Sequence, residues 1–289
     1  MLRKLKKINF LQKNTLFSKL EIIKNIEDLN KFRSNYDQIS FVPTMGNLHD
    51  GHISLIKKAN EYNDTVITSI FINPLQFNDK NDFIHYPKTL DSDINLLIKN
   101  ECNCLFLPDQ SILNNIKQIE SSYKSQHLCG LNRPGHFDGV LTIVNRLFEL
   151  IRPTRAIFGK KDYQQLLLIS DFVKESKLPI SIIGSEIVRD QSGLALSSRN
   201  NHLSTDEKKL ASNLYKSLEI IANKVDTLTI NDIVNEKNKL RDLGFSIDYL
   251  NVCNPQELSE ESNYTIRPLI VAIAAYIREI RLIDNILIT

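Results

Sequence analysis

The sequence lacks any long apolar run. A transmembrane helix needs about 18 consecutive apolar residues, and no such stretch occurs among the 289 residues. The N-terminal region also lacks the continuous apolar stretch of a secretory signal, so we expect neither a membrane-spanning segment nor export. Internal repeats and low-complexity linkers are missing as well.

Cysteine is scarce. The chain has 4 cysteines, and none of them form a C-x-x-C pair. In a chain of this size they indicate buried thiols in a reducing compartment and not a disulfide framework, which predicts a cytoplasmic protein. The four are Cys102, Cys104, Cys129 and Cys253.

Acidic residues are missing from the first 20 positions, which carry six basic side chains. The whole chain has a formal charge of +2, so the remaining residues, with 30 basic and 34 acidic side chains, carry −4. A body of that charge gives no reason to expect a nucleic-acid partner. The basic stretch could be a targeting segment, a disordered tail or the result of an upstream start codon. We predict a disordered extension over residues 1–20.

Strand-like and helix-like segments alternate through residue 188. This alternation is typical of a parallel sheet with helices on both faces. The predicted strands are 39–43, 65–72, 103–107, 155–159 and 180–188. The predicted helices are 51–62, 88–100, 137–151 and 161–177. The polar stretch 109–132 has little pattern and predicts short elements and loop.

The pattern changes after residue 188. A turn-rich connector leads to Ser204, which forms a capping-box pattern with Glu207 at the start of a helix. The predicted elements are helices over 205–225 and 230–242, then strands over 246–253, 266–276 and 280–288. The fold class is therefore α/β, with a parallel-sheet domain over 21–187 and a smaller α+β domain over 188–289.

The segment Phe41–His52 is the most informative part of the chain. An apolar strand stops at Pro43, Gly46 permits a tight turn, and a helical pattern follows. The backbone N–H groups at the start of this helix lie beside His49 and His52. The three-residue spacing places both rings on one helical face. Such a pair suits a phosphate under attack, because each ring can donate a hydrogen bond to charge that grows on the α-phosphate and the departing pyrophosphate.

Two other interpretations of the histidine pair remain open. Both rings could lie on the surface, or they could be two ligands of a zinc ion. A zinc site needs a third and usually a fourth ligand, and neither an H-E-x-x-H motif nor a cysteine pair supplies one.

Four further segments favour a nucleotide site. Ser69–Phe77 ends a buried strand with polar amides, in the position where ligands gather in open α/β sheets. Arg133–Val140 follows, and Phe158–Leu166 is again strand–turn–helix, with Lys161 at the helix start. Leu196–Asn200 lies between the two predicted domains, where hydroxyls and a guanidinium could close over phosphates.

These motifs resemble, in order and spacing, those of the pantoate–β-alanine ligase family, and the resemblance extends over residues 21–288. The matching runs are Val42–Gly46 with His49-x-Gly51-His52, Asn73–Phe77, Arg133–Phe137, Lys161–Leu166, Leu196–Asn200 and Arg281–Asn285. The resemblance implies a homodimer with a Rossmann-like N-terminal domain of the H-x-G-H nucleotidylyltransferase superfamily. It also implies a reaction that joins (R)-pantoate to β-alanine with ATP and Mg²⁺, through a pantoyl adenylate, releasing AMP and pyrophosphate.

The resemblance also implies roles for individual residues. It makes His52 the catalytic histidine, with His49 and Lys161 acting on the phosphates. Gln76 and Gln165 would bind pantoate, and Gln76 would also contact β-alanine. Neutral amides suit this place, because an arginine would neutralise the carboxylate that must attack phosphorus. The implied ATP-binding residues are Met45, Gly46, Asn47, Leu48, His49, Asp50, Gly51, His52, Gly159, Lys160, Lys161, Asp162, Val188, Leu196, Ser197, Ser198 and Arg199.

Asp93 is the candidate ligand for Mg²⁺, a hard cation that prefers oxygen ligands, although a surface acid on a helix is an equal alternative. His136 is expected to cap or pack its loop. Two positions depart from the family pattern. Cys129 precedes Gly130 where an acidic residue is usual, and Arg278 stands near a strand turn where a small residue is usual. The first concerns a loop or an interface, and the second concerns the smaller domain alone.

Two rival functions are weighed against the ligase. Another H-x-G-H adenylyltransferase, which leaves AMP on its product, gives no reason for the two glutamines together with the segment 196–200. A nucleotide-binding regulator that has lost catalysis gives no reason to keep both histidines, Lys161, Asp162 and Arg199.

The basic extension should contribute little to folding or activity, because residues 1–20 show no periodic apolar face that could pack on the core. We expect a variant that lacks the extension to keep the melting temperature and the turnover of the full chain, measured by calorimetry and by product formation. A large fall in melting temperature would show that the extension docks on the domain.

Overall fold

The structure, a computed structural model, describes residues 20–289. Its centre is a parallel sheet built from β1 (Glu21–Ile23), β2 (Ile39–Thr44), β3 (Thr65–Ile70), β4 (Cys104–Phe106), β5 (Arg155–Gly159) and β6 (Ser181–Ser185). The six strands lie in the order β1-β4-β3-β2-β5-β6, and every neighbouring pair is parallel.

Helices cover both faces of this sheet. They are α1 (Ile26–Arg33), α2 (Asp50–Asn60), α3 (Lys80–Ile84), α4 (Leu90–Lys99), α5 (Leu128–Leu131), α6 (His136–Ile151) and α7 (Tyr163–Glu175). Side chains alternate across the sheet, so Phe41 of β2 packs with α1 and α6, while Val42 packs with α2 and α4. Burial on both faces accounts for the continuous apolar runs of the central strands.

The strand order reverses at β2, which pairs with β3 on one side and with β5 on the other. In open α/β sheets, ligands bind outside the carboxyl ends of the strands at such a point. Strand β2 ends at Thr44 and β5 ends at Gly159. The segments that follow these two residues are therefore placed to line a ligand site.

The C-terminal part forms a smaller antiparallel sheet of β7 (Ser246–Cys253), β8 (Leu269–Ile277) and β9 (Ile280–Ile288). It is accompanied by α8 (Thr205–Ala211), α9 (Asn213–Asn223) and α10 (Ile230–Asp242). These elements share a hydrophobic core of their own, which includes Leu214, Leu218, Leu250 and Ile273. The α/β class and the smaller α+β domain are therefore confirmed, while the boundary between residues 187 and 188 stays a prediction.

Arg278, one of the two departures from the family pattern, lies in the turn between β8 and β9. Ile277 ends β8 and Ile280 begins β9, which leaves a two-residue turn. Arg278 has φ +51°, a conformation that hairpin turns usually give to glycine or asparagine. Its guanidinium pairs with Glu207 at 2.7 Å, so the substitution concerns the smaller domain, as predicted.

The predicted elements are present with shifted ends. Residues 230–242, 246–253 and 280–288 form α10, β7 and β9 over the predicted bounds. The helix predicted over 205–225 is wrong as one element, because the chain breaks at Ser212 into α8 and α9. The Ser212 hydroxyl donates to the carbonyl of Lys209, a local bond that competes with helix continuation.

Two strand predictions are too long because the partner strand ends first. The strand predicted over 180–188 stops at Ser185, which pairs with Gly159, the last residue of β5. The strand predicted over 266–276 begins at Leu269, which pairs with Ile288, the last residue of β9. A strand exists only as far as a neighbour supplies hydrogen bonds.

Sequence analysis missed strand β1 and helices α1 and α3. Strand β1 has three residues and α3 has five, too few for a periodic pattern, and the eight residues of α1 make only about two turns. Helix α5, with four residues, is one of the short elements predicted for 109–132. Leu20 corrects the predicted extension, because its side chain is 7% exposed and belongs to the buried cluster on the α2/α4 face of the sheet. Residues 1–19 lie outside the described part of the chain, so a deletion that tests the extension should stop at residue 19.

The four cysteines are all buried and unpaired, as predicted. None of the helices found between residues 20 and 289 is long and apolar enough to cross a membrane.

Helix α6 packs directly on the short 3₁₀ turn Pro74–Gln76, and the contact requires Gly139. A Cβ at this position would lie 2.2 Å from the carbonyl oxygen of Leu75. We expect Gly139→Ala to lower the free energy of unfolding by about 1–3 kcal/mol or more, measured by urea denaturation. Gly159→Ala is the control, since a Cβ there meets no atom within 4 Å. Equal stability of the two variants would show that the contact can relax.

Candidate active site

A cleft of about 260 Å³ opens at the carboxyl ends of β2 and β5. It lies where the reversal of strand order places a ligand site. The predicted site residues that line it are Met45, His49, Gly51, His52, Gln76, Gly159, Lys161, Asp162, Gln165, Val188, Leu196, Ser197, Ser198 and Arg199. Segments that are distant in the sequence therefore meet in one cavity.

The turn between β2 and α2 brings the chain back over the strand end. Gly46 and Asn47 have φ +82° and +52°, so two successive residues are left-handed. Asp93 of α4 accepts hydrogen bonds from the backbone N–H groups of Asn47 at 2.9 Å and Leu48 at 2.8 Å. It also accepts one from the Thr89 hydroxyl at 3.0 Å. A buried carboxylate thus holds the turn that precedes the histidine pair.

His49 and His52 form a reciprocal cap at the start of α2. Nδ1 of His49 accepts from the backbone N–H of Gly51 at 3.2 Å, and Nδ1 of His52 accepts from the backbone N–H of His49 at 3.4 Å. The ring centroids are 4.2 Å apart. Because Nδ1 is an acceptor in both rings, the proton of each neutral ring resides on Nε2. Each ring can therefore donate an Nε2–H to a ligand.

Both rings are neutral at pH 7. Burial is the main cause that lowers the pKa of His49 to about 4, and the positive charge of Lys161 adds to it. Burial, followed by the neighbouring His49 ring and Lys161, lowers the pKa of His52 to about 3. The pair therefore offers hydrogen-bond donors without charge, and the positive charge nearest to it comes from Lys161.

Lys161 lies in a 3₁₀ turn, Lys160–Asp162, between β5 and α7. Its side chain is 18% exposed, and its ammonium is 3.8 Å from the carboxylate of Asp162. Asn285 of β9 donates hydrogen bonds of 3.0 Å to the carbonyls of Lys160 and Lys161. The lysine thus extends from a turn that the smaller sheet contacts.

Gln76 ends the 3₁₀ turn that follows β3. The buried amide of Asn73 donates to the Gln76 side-chain oxygen at 3.1 Å and to the carbonyl of Gly139 at 3.0 Å. Among residues 20–289, the acceptor for Nε2 of Gln76 is the sulfur of Met45, at 3.3 Å. Since a thioether is a weak acceptor, this amide can still donate to a ligand.

The main-chain carbonyl of Gln76 is held by Arg133, which precedes α6, and by His136, the first residue of α6. His136 donates from Nδ1 at 2.7 Å, and Arg133 donates from Nη2 at 3.3 Å. Nη1 of Arg133 lies 3.0 Å from Nε2 of His136. Burial, with the adjacent Arg133 charge, lowers the pKa of His136 to about 3. His136 packs its loop, as expected from the sequence.

The two adjacent glutamines at the start of α7 have different surroundings. Gln164 is buried, and its side chain accepts from the N–H of Cys129 at 3.0 Å and donates to the carbonyls of Lys124 and His127 at 2.9 and 2.8 Å. Gln165 lines the cleft. Only the second glutamine is therefore placed for a ligand.

The segment Leu196–Arg199 crosses above the β2–α2 turn. The Ser198 hydroxyl donates to the carbonyl of Asn47 at 3.3 Å. The Ser197 hydroxyl accepts from the N–H of Arg199 at 3.3 Å, and the Arg199 guanidinium pairs with Asp82 at 3.0 Å. Two hydroxyls and a guanidinium therefore border the cleft.

This geometry can be compared with known protein families. A sequence model of the family described as pantoate–β-alanine ligase matches residues 19–287, which is nearly the whole chain. The chain belongs to the pantoate–β-alanine ligase family. The resemblance stated from the motifs is confirmed, and the protein is an enzyme of this ligase class.

Individual relatives agree with the family match. The pantothenate synthetase of Marinomonas sp. (strain MWYL1) is 43% identical over 260 residues, which is 86% of this chain and 91% of the relative. That of Idiomarina loihiensis is 41% identical over 280 residues, 93% of this chain and 98% of the relative.

Solved structures of the family share the fold. The pantothenate synthetase from Thermus thermophilus is 35% identical, superimposes with a TM-score of 0.86, and is covered to 99% by 92% of this chain. The pantoate–β-alanine ligase from Francisella tularensis, complexed with β,γ-ATP and β-alanine, is 37% identical with a TM-score of 0.79. The superposition includes 93% of this chain and 98% of the Francisella chain.

Five residues that the ligase resemblance implied as ATP ligands do not line the cleft. Asp50 is exposed, the backbone of Asn47 and Leu48 faces Asp93, and Lys160 pairs with Glu186. The non-lining members of the implied set are Gly46, Asn47, Leu48, Asp50 and Lys160. They belong to the turns that carry the lining residues, and their role in ATP binding stays a prediction.

The structure does not support Asp93 as a Mg²⁺ ligand. Its side chain is 1% exposed, and both carboxylate oxygens accept hydrogen bonds from the β2–α2 turn and Thr89. Within residues 20–289, no group of three or more His, Cys, Asp or Glu side chains is placed to hold a metal ion. Asp93 is a structural carboxylate that holds the turn between β2 and α2.

Sequence reasoning missed one wall of the ligase cleft. Helix α6 contributes an apolar surface that includes Val140, Ile143, Val144 and Leu147, and the polar residues Tyr86, Arg133 and His136 also line the cavity. The motif Arg133–Val140 marked the region without indicating which side chains face a ligand. Helix α6 is buried on most of its circumference, so its sequence pattern does not single out one lining face.

The neutral histidines predict a pH-dependent stability. Unfolded rings titrate near pH 6.5, whereas the folded rings titrate near 4 and 3, so between these values the unfolded chain binds protons that the folded chain does not. Burying the two neutral rings therefore does not lower the free energy of unfolding above about pH 6.5. Below that pH the free energy of unfolding falls, because the unfolded rings take up protons. We expect His52→Gln to reduce the loss between about pH 7 and 4 by on the order of 2 kcal/mol in urea unfolding.

The control for this experiment is His85→Gln, which changes an exposed histidine outside the cleft. It should leave the pH dependence unchanged. A His52→Gln variant that loses stability as steeply as the unchanged chain would contradict the neutral, buried state of His52.

Proposed function

We propose that the protein condenses (R)-pantoate with β-alanine in two steps at this cleft, consuming ATP and releasing AMP and pyrophosphate. The observation that carries the proposal is the composition of the cavity. Two neutral N–H donors and a lysine line this cavity, and so do two glutamines and the apolar wall of α6. The first group suits phosphates, and the second suits a small hydroxy acid with a branched carbon chain.

The first step is adenylylation. A carboxylate oxygen of pantoate attacks the α-phosphorus of ATP, a new P–O bond forms, and the bond to the β-phosphate oxygen breaks. Negative charge grows on the departing pyrophosphate, where His49 and His52 donate hydrogen bonds from Nε2. Lys161 and Arg199, which both border the cleft, add positive charge.

Pantoate is held by hydrogen bonds and by apolar contact. The amides of Gln76 and Gln165 can orient its hydroxyl and carboxyl oxygens without neutralising the attacking carboxylate. Val140, Val144 and Leu147 face the same cavity, and they suit the carbon that carries two methyl groups. The substrate is therefore aligned before the amine arrives.

The second step is amide formation. The neutral amine of β-alanine attacks the acyl carbon of the adenylate, a C–N bond forms, and the C–O bond to AMP breaks, with loss of the amine proton. Gln76 is proposed to contact β-alanine as well. The complex of the Francisella relative with β,γ-ATP and β-alanine supports the binding of these two substrates in one protein of the family.

Mg²⁺ is proposed to bind with ATP and not at a prebuilt protein site. The carboxylates that border the cleft are Asp162 and Glu186. Mg²⁺ often binds through one or two carboxylates together with substrate phosphates and water. Asp162 fits this donor set, and the metal would supply charge neutralisation on the phosphates.

Three further properties are proposed with the function. Residues 188–289 act as a lid domain, since Ser197, Ser198 and Arg199 border the cleft. The enzyme is a homodimer and acts in the cytoplasm.

Pyrophosphate exchange tests the proposed chemistry. ATP, Mg²⁺ and pantoate without β-alanine should transfer labelled pyrophosphate into ATP, because the adenylate forms before the amine is needed. Lys161→Ala should slow this exchange about 10²-fold, as loss of a donor to developing charge does in comparable sites. It should slow the attack of β-alanine on preformed adenylate much less, since no phosphate charge accumulates in that step.

Lys174→Ala, at the exposed end of α7, is the control and should leave exchange unchanged. Exchange that requires β-alanine would contradict the two-step scheme. Absence of both exchange and product would favour the rival function of a nucleotide-binding regulator.

A further inference from the structure

The C-terminal motif Arg281–Asn285 contains an asparagine that contacts the turn of the candidate lysine. Asn285 lies on β9 and is 6% exposed. Its Nδ2 group donates one hydrogen bond of 3.0 Å to the carbonyl of Lys160 and another of 3.0 Å to that of Lys161. A primary amide has two N–H donors, so both are used on two consecutive peptide groups.

Asn285 is itself held by a buried ion pair. The carboxylate of Asp284 accepts from the backbone N–H of Asn285 at 2.8 Å. The same carboxylate forms a two-pronged pair with Arg189, in which Nη2 lies 2.9 Å from Oδ1. The Arg189 guanidinium also stacks on the ring of Tyr215 at 3.6 Å. Because the guanidinium is fixed on two sides, its pair with Asp284 holds β9 in a defined position beside the segment that contains Arg189.

The peptide groups that Asn285 holds determine where the Lys161 side chain starts. The turn Lys160–Asp162 is only three residues long and leads directly into α7. Lys161 reaches the cleft on a flexible four-carbon stem, and the ammonium pairs with a protein carboxylate only at 3.8 Å. The direction of the stem therefore depends on the orientation of the main chain below it.

We propose that Asn285, fixed by Asp284 and Arg189, is the positioning residue for Lys161. The smaller sheet thereby orients the positive charge that acts on ATP at the end of the parallel sheet. This inference rests on the proposed role of Lys161 in adenylylation. It makes the motif Asp284–Asn285 part of the first half-reaction, although neither side chain lines the cleft.

Asn285→Ala should reduce the maximal rate of pyrophosphate exchange by about 10- to 100-fold, because small displacements of a reacting group cost this much. The KM for pantoate and the rate of amine attack on preformed adenylate should change little. A loss of fold alone would lower both half-reactions together.

The matched control is Asn251→Ala. Asn251 and Asn285 flank the same residue, Ala272, on the two sides of β8. The side chain of Asn251 contacts Lys237 and Glu260 and not the turn of Lys161. This variant should keep exchange at the level of the unchanged enzyme. If Asn285→Ala melts well below Asn251→Ala, Asn285→Ser, which retains a small polar side chain, is measured in its place.

A double-mutant cycle decides between positioning and an independent role. In the Lys161→Ala background, the additional Asn285→Ala change should alter exchange by less than about threefold, because the residue it positions is gone. If the fold-loss of exchange in the double variant equals the product of the two single losses, the proposal is overturned, while the role of Lys161 stays intact. Unchanged exchange in Lys161→Ala alone would reject the proposed role of Lys161, and the positioning role with it.

Discussion

The candidate site depends on one buried carboxylate. Asp93 accepts hydrogen bonds from the backbone N–H groups of Asn47 and Leu48 and thereby fixes two left-handed turn residues at the end of β2. A turn of this kind exposes main-chain N–H groups that are costly to leave unpaired in a protein interior. The carboxylate pairs them from behind, so the other side of the turn remains free to present His49 and His52.

The two sheets contribute to the cavity in different ways. The parallel sheet supplies strand ends, and these give the cleft its position and its rigid base. The smaller sheet and its connector supply contacts from above, such as the Ser198 hydroxyl on the carbonyl of Asn47 and the Asn285 amide on the turn of Lys161. Apolar side chains of the smaller sheet also pack on α5 and α7. The position of one sheet on the other therefore bears directly on the shape of the cleft.

Sequence reasoning predicted what is local. The histidine pair could be placed at a helix start because a strand end, a glycine turn and the pair itself are contiguous from residue 39 to residue 52. Contacts between distant segments could not be predicted in the same way. Asp93 looked like a possible metal ligand because the two backbone N–H groups that it accepts from are 45 and 46 residues away.

The two glutamines at the start of α7 make the same point. Gln164 and Gln165 are adjacent and chemically identical, yet only the loop around Lys124 and Cys129 decides which of them is buried. The wall formed by α6 was missed for a related reason. A helix with apolar residues around most of its circumference gives no sign of which of them border a cavity.

The reciprocal histidine cap has a cost for the helix that it begins. Serine, threonine, aspartate and asparagine are the preferred N-cap residues, and histidine is not among them. In α2 the cap acceptors are ring nitrogens, at 3.2 and 3.4 Å. Helix α2 therefore gives up part of its own stability for the chemistry of its first turn. A substitution that improves the N-cap of α2, such as His49→Ser, would therefore stabilise the helix and remove a proposed donor to the phosphates.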